Sequence, residues 1–310
     1  MISLWRHLYW ALVLFLVLGG SGAAQPLTLR LVKEVLLMEG NLPAKSNLVA
    51  FSINGQGEIY LVDQGLNRVF YLDPEGNLIK EEGGFGWENN QFDRPTDIWA
   101  ENSLDVFVAD YNNNRVQRFD RTLNYVASYT SRPALEEELQ FAFPVSVTFS
   151  RFGELFLVEQ EHYRVLRFNK DGEPEQSFGD YDWGAGTLQE PVAICLSEKD
   201  QVYVSDRIRK AVVCFDYYGN YLHEITHPDL QQPGSVATAY NYLFVVDEAS
   251  GRVFVFHEQG EKVVDFSPLP AGNNETTETH LDLAVHAGIL YILDSAAAKI
   301  YGYELKISRK

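Results

Sequence analysis

The chain is short of basic residues, of sulfur and of long apolar runs. It has 25 Lys and Arg against 43 Asp and Glu, a net charge of -18. A field of that sign repels phosphate backbones and argues against nucleic acid as a partner. It also suits the solubility of an ordinary protein surface. Cys195 and Cys214 are the only cysteines. They fall two strands apart in one repeat unit, and two strand spacings amount to roughly 9–10 Å, beyond the ~7 Å that a disulfide bridges. Two buried free thiols are therefore expected. Gly-x-Ser-x-Gly, His-Glu-x-x-His and Gly-rich phosphate loops are all missing, which removes the common nucleophilic, zinc-hydrolytic and nucleotide chemistries. His162, His223, His227, His257, His280 and His286 are scattered without ligand spacing. Nothing here calls for a cofactor.

The one long apolar run, Leu8 to Leu18, follows Arg6 and precedes Gly22-Ala23-Ala24 and Gln25. A positive start, an apolar stretch and small residues make residues 1–24 a cleavable secretory signal. No Cys follows it to take a lipid. The mature protein, residues 25–310, is expected to be exported to the periplasm or the extracellular space. No membrane insertion is expected after cleavage.

The rest of the chain repeats. Short apolar runs end in Asp63, Asp110, Glu159, Asp206, Asp247 and Asp294, stepping by 47, 49, 47, 41 and 47 residues. Five positions after each acid stand Arg68, Arg115, Arg164, Ala211, Arg252 and Lys299. A period of this length with several short strands per unit signals a radial repeat. Each unit reads as four strands joined by turns such as Asp73-Pro74-Glu75-Gly76-Asn77, where Pro presets φ and Gly or Asn tolerates positive φ. The expected fold is all-β: a six-bladed propeller of four antiparallel strands per blade. The blades are placed at 47–83, 94–130, 144–179, 191–227, 234–267 and 281–305. The last unit stops after three strands, and an unassigned β-like segment, Leu27–Leu37, precedes the first. That segment is expected to supply the missing outer strand and cover an open edge.

Residues repeated in every unit build every unit. The acidic anchors and their basic partners (Asp63 with Arg68, Asp110 with Arg115, Glu159 with Arg164, Asp247 with Arg252, Asp294 with Lys299) are thus read as scaffold. The candidate ligand positions are those where the copies differ. Aligned on the first strands, Asn47, Asp97, Ser146, Ala193, Ser235 and Asp282 form a level near the channel mouth. Asp97, Asp282 and Asn47 would suit Ca²⁺ or another divalent cation, which takes oxygen ligands. The linkers between units supply aromatics. Phe92, Phe143 and Leu188, close to prolines, are read as plugs of the blade junctions. Trp87, Tyr181 and Trp183, in polar Gly-rich context, are the candidate partner-binding residues. Ser131–Glu138 is an acidic insertion with room for one helical turn.

The segment Gly83-Gly84-Phe85-Gly86-Trp87-Glu88-Asn89-Asn90-Gln91-Phe92-Asp93-Arg94-Pro95, with Val106–Asp110 and Asn112-Asn113-Asn114-Arg115-Val116, resembles an NHL repeat. With the leader, the resemblance is to the secreted bacterial type of six-bladed NHL propeller. It weakens in the fourth unit, at Ala211, and in the sixth, at Ala296-Ala297-Ala298. It implies a fold that serves protein-binding, RNA-binding, sensory and enzymatic roles. Gluconolactonase-like propellers, by the same resemblance, hold a divalent metal with Glu, Asn and Asp, but their Glu-Gly-Pro segment is missing from the first unit here. The reading that follows is a monomeric, exported, non-catalytic binding propeller. It engages a protein, peptide or saccharide on the loop-rich face. The alternative is a metal-dependent hydrolase or lyase at the channel mouth.

Overall fold

The strands fall into six separate four-stranded antiparallel sheets in a computed structural model that describes residues 27–132, 135–180, 184–268 and 280–307. The expected leader, Tyr181 and Trp183 lie outside the described residues. The inner strands are Leu48–Ile53, Pro95–Trp99, Pro144–Phe149, Pro191–Leu196, Pro233–Ala239 and Leu281–His286. The second strands are Ile59–Asp63, Asp105–Asp110, Leu155–Glu159, Val202–Asp206, Tyr242–Asp247 and Ile289–Asp294. The third are Arg68–Leu72, Arg115–Asp120, Arg164–Phe168, Ala211–Phe215, Arg252–His257 and Lys299–Ile307. Five outer strands follow in sequence: Leu78–Gly83, Tyr125–Thr130, Pro174–Phe178, Tyr221–Thr226 and Lys262–Phe266. Among the described residues no helix is long and apolar enough to cross a membrane.

The composition of each strand follows from its radius. Second strands are sandwiched between neighbouring blades, so both of their faces are apolar; Ile59–Asp63 and Tyr242–Asp247 are buried along their whole length. Outer strands meet water, and Leu78–Gly83 has no buried residue. Apolar clusters fill the junctions between successive blades, and one joins blade six to blade one through Leu293, Ile300, Phe51 and Phe70. Reversals between third and fourth strands rest on Asx turns: Asp73 Oδ1 accepts the N–H groups of Glu75 and Asn77, and Asp216 does the same for Tyr218 and Asn220.

The ring closes as expected. Leu27–Leu36 pairs antiparallel with Lys299–Ile307, from Leu27 opposite Ile307 to Leu36 opposite Lys299. Leu37 leaves the strand one residue early and buries its side chain in the junction of blades six and one. Cys195, Tyr203 and Cys214 stand abreast on three strands of blade four, and both thiols are free. Only Cys214 is buried. Cys195 is half-buried because its strand lines the channel, which corrects the expectation of two buried thiols. Burial pushes both thiols up, Cys214 to about 12.

Candidate functional site: the acidic-anchor face and its channel mouth

The acidic anchors are buried, five of them completely. Their oxygens are filled by main-chain donors of the following turn: Leu66 on Asp63 at 3.0 Å, Glu161 on Glu159 at 2.7 Å, Arg209 on Asp206 at 3.0 Å and Ala297 on Asp294 at 3.0 Å. Donors from the preceding linker add to these, with Asn47 on Asp63 at 2.9 Å, Asp93 on Asp110 at 2.8 Å and Gln231 on Asp247 at 2.8 Å. The anchor thus ties three chain segments together at one point.

The expected ion pairs form in blades two and three: Arg115 Nε lies 2.8 Å from Asp110, and Arg164 Nε 2.9 Å from Glu159. In three other blades the expectation is corrected. Arg68 pairs with Glu81 at 2.7 Å, Arg252 with Asp265 at 2.5 Å, and Lys299 lies 3.9 Å from Glu34. In these blades the cation keeps part of its water by pairing on the outer strand instead. Arg115 goes on to donate to the carbonyls of Trp87 (2.8 Å), Glu88 (2.9 Å) and Gln91 (2.8 Å). Arg164 does the same for Gln140, beyond the acidic insertion, whose described part holds a single 3-10 turn, Glu137–Leu139. In blade four Arg209 reaches Thr187 O at 2.7 Å and so replaces the basic residue missing at Ala211.

Strand register defines the channel ring. Asp97 lies opposite Ala109, Ser146 opposite Val158, Ala193 opposite Ser205 and Asp282 opposite Leu293. The blade-one member is Ala50, opposite Val62, and not Asn47. Asn47 stands three residues earlier, exposed at the rim. Blade one starts its inner strand with Leu48 where four others start with proline, so no proline marks the register there.

The polar ring members form a belt. Ser146 Oγ donates to Asp97 at 2.7 Å, and the N–H of Val147 donates to the same oxygen at 2.8 Å. Ser146 Oγ in turn accepts the N–H of Ile194 at 3.2 Å. Ser235 donates to Asp282 at 2.5 Å and accepts from Leu283 at 3.0 Å, while Asp282 accepts the N–H of Phe51 at 2.8 Å. Each polar member therefore takes a main-chain N–H from the next blade. Ala50 and Ala193 cannot, and where Ala50 leaves the N–H of Ile98 free, Asp97 Oδ1 takes it at 2.8 Å. Burial, with repulsion from Asp282, raises Asp97 to about 7; burial raises Asp282 as well. Among the described residues no group of three or more His, Cys, Asp and Glu is placed to hold a metal ion.

The channel has a volume of about 640 Å³. Its mouth on the anchor face carries Arg94, Tyr111, Gln160, Arg207, Glu248 and His280. Arg207 is neutralised by Glu248 at 2.6 Å, with Glu190 at 3.8 Å. Arg94 differs. Its guanidinium lies over the Tyr111 ring, 4.7 Å from the centroid, and among the described residues no carboxylate pairs with it. Tyr111 is itself held by its hydroxyl on Gln160 at 3.1 Å and by Phe143, 5.2 Å away between ring centroids. Phe143, expected as a plug, is thus half-buried at the mouth; Phe92 and Leu188 are fully buried as plugs.

The linker from Gly83 to Arg94 leads to that mouth. It is closed on itself by a bridge between Phe85 and Phe92, with Gly86 N–H on Phe92 O at 3.1 Å. Gly83 has φ of +118°, and a Cβ there would lie 2.6 Å from Asn67 O, so no other residue fits. Besides Arg115, Asn113 holds Gly86 O at 2.8 Å, and Gln117 holds Gln91 O at 2.7 Å. Asn67 takes the N–H of Arg94 at 2.7 Å, fixing that residue at φ of +57°. On this tied loop Trp87 is 71% and Phe85 67% exposed.

A family model described as the NHL repeat matches residues 92–119. The chain is a six-bladed propeller with an NHL repeat matched in its second blade. It is 27% identical over 143 residues to Protein brain tumor of Drosophila melanogaster, a match covering 46% of this chain and 13% of that protein. With the B-box type zinc finger protein ncl-1 of Caenorhabditis elegans it shares 26% identity over 146 residues, 46% of this chain and 16% of the relative. The chain thus spans a small part of the length of these relatives. Among solved structures, a catalytically inactive virginiamycin B lyase from Staphylococcus aureus with quinupristin superposes with a TM-score of 0.62 at 13% identity, covering 90% of this chain and 100% of the other. A streptogramin B lyase gives a TM-score of 0.62 at 13% identity, covering 90% and 98%. At such identity the likeness is one of fold.

The matched segment contains the features that build the site. Phe92 closes the linker, Asp93 and Arg94 open the mouth, and Asp110 and Arg115 are the best-formed anchor pair. Sequence reasoning missed Arg94, Tyr111 and Phe85. The signal for Arg94 was its place before Pro95, where the equivalent residues Phe143 and Glu190 precede Pro144 and Pro191.

Proposed function

We propose that this NHL propeller is a non-catalytic binding module that engages a partner on the acidic-anchor face, through the Gly83–Arg94 linker and the channel mouth. One observation carries the reading. Trp87 and Phe85 are largely exposed on a loop whose carbonyls are tied down by buried Arg115 and by Gln117 and Asn113. Ordering such a loop on binding costs little, and rigid aromatics make strong contact anchors. Trp87→Ala is expected to weaken partner binding about 30-fold, the scale of a hot spot near 2 kcal/mol, and to leave the melting temperature unchanged.

Metal-assisted hydrolysis or lysis has less support. Asp97 and Asp282 already accept hydrogen bonds on both oxygens, and Asn47 stands outside the channel ring. The binding module is proposed to act after export. N-terminal sequencing of the protein recovered from outside the cytoplasm should begin at Gln25; a sequence beginning at Met1 would reject the cleaved leader.

A further inference from the structure

We propose that the ligand of this face is a short extended peptide, with a carboxylate on Arg94 at the channel mouth and an apolar side chain on Trp87 and Phe85. The inference rests on the binding reading above and names the ligand's class. Arg94 is the distinctive charge of the mouth: Arg207 is neutralised by Glu248 and Glu190, whereas Arg94 pairs with no carboxylate among the described residues. Its side chain is already placed. The Asn67 side chain fixes the backbone at its N–H, and the Tyr111 ring lies beneath the guanidinium at 4.7 Å. A stacked guanidinium presents its planar fork of donors outward, the geometry that binds a carboxylate bidentately. Placing it beforehand removes most of the entropy cost of that contact.

The overall charge of -18 limits what the carboxylate can belong to. A polyanion would be repelled along its length. A single carboxylate on an otherwise neutral or basic peptide would gain the contact with Arg94 and avoid that repulsion.

The loop closure fixes the spacing. Gly86 N and Phe92 O are hydrogen-bonded at 3.1 Å, so Trp87 and Arg94 have Cα atoms at most about 18 Å apart, roughly five residues of extended chain. The same stretch thus carries an apolar contact at one end and a cation at the other, both on a rigid frame.

The test is selection of a random seven-residue peptide library with free C-termini on the wild type, followed by binding isotherms for one selected synthetic peptide. Two peptide variants are needed: the C-terminal amide, and the peptide with its Asp or Glu replaced by Asn or Gln. Two protein variants are needed: Arg94→Gln, and Arg94→Lys as a charge-retaining control. Selected peptides should carry a carboxylate four to six residues from an aromatic or branched apolar residue. Neutralising that carboxylate should cost about 10- to 100-fold on the wild type and less than about 3-fold on Arg94→Gln, with partial recovery in Arg94→Lys. Which peptide variant loses affinity tells a terminal from a side-chain carboxylate. Equal losses on the wild type and Arg94→Gln would overturn the inference. Peptides that bind through Trp87 but ignore Arg94 would also overturn it, and would leave the binding reading in place. Failure to enrich any peptide would overturn the peptide inference, and partner binding insensitive to Trp87→Ala would separately overturn the binding reading.

Discussion

Asp97 shows how one residue can look like a ligand and act as scaffold. Its position in the channel ring was legible because Pro95 marks the strand start two residues earlier. Its partners were not, since the N–H of Val147 and the hydroxyl of Ser146 come from another blade. Asn47 was placed in the ring for want of that proline, and Ala50, the true member, carries no polar atom to draw notice. The belt makes a pH prediction. Asp97 is raised from 3.8 to about 7, so the folded chain holds a proton that the unfolded chain releases from about pH 4. The contribution of Asp97 to stability is then greatest at and below pH 4, declines as pH rises to about 7, and is level above. Asp282 has the same sign. Denaturation midpoints of the wild type should fall between pH 4 and 7.5, with a shallower fall in Asp97→Asn. Parallel curves for the two proteins would reject a raised Asp97.

The first strand is the element that makes the ring whole. Blade six has three strands of its own, and Leu27–Leu36 covers Lys299–Ile307 along its length. This was legible by counting strands, because an antiparallel unit that ends early leaves a bare edge. Without Leu27–Leu36 that edge would be free to pair with other chains. Deleting residues 27–36 should lower the melting temperature by more than about 10 °C, as several kcal/mol of pairing and burial are lost. An unchanged melt in thermal denaturation would contradict the closure. Other element-level features were hidden from spacing arguments. Arg209 serves blade four from two residues before the repeat's basic position, and its role is visible only through its bond to Thr187 O. Just beyond the acidic insertion, Gln140 O supplies an acceptor for Arg164.

Across the whole molecule, regularity and irregularity divide the work. The buried anchors, the inter-blade belt and the six-fold junctions hold a ring whose faces are made of turns and linkers. Of those faces, the anchor face has the channel mouth with Arg94, unpaired with any carboxylate among the described residues, and the linker with Trp87. The opposite face has exposed residues too, such as Tyr218, 66% exposed in an Asx turn of blade four. It thus supplies the control for the central claim. The most direct measurement is the dissociation constant of a captured partner on the wild type, Trp87→Ala and Tyr218→Ala, each checked for an unchanged melt. The account predicts a loss of about 30-fold for Trp87→Ala and less than about 2-fold for Tyr218→Ala. Full affinity in Trp87→Ala, with the loss moved to Tyr218→Ala, would contradict it.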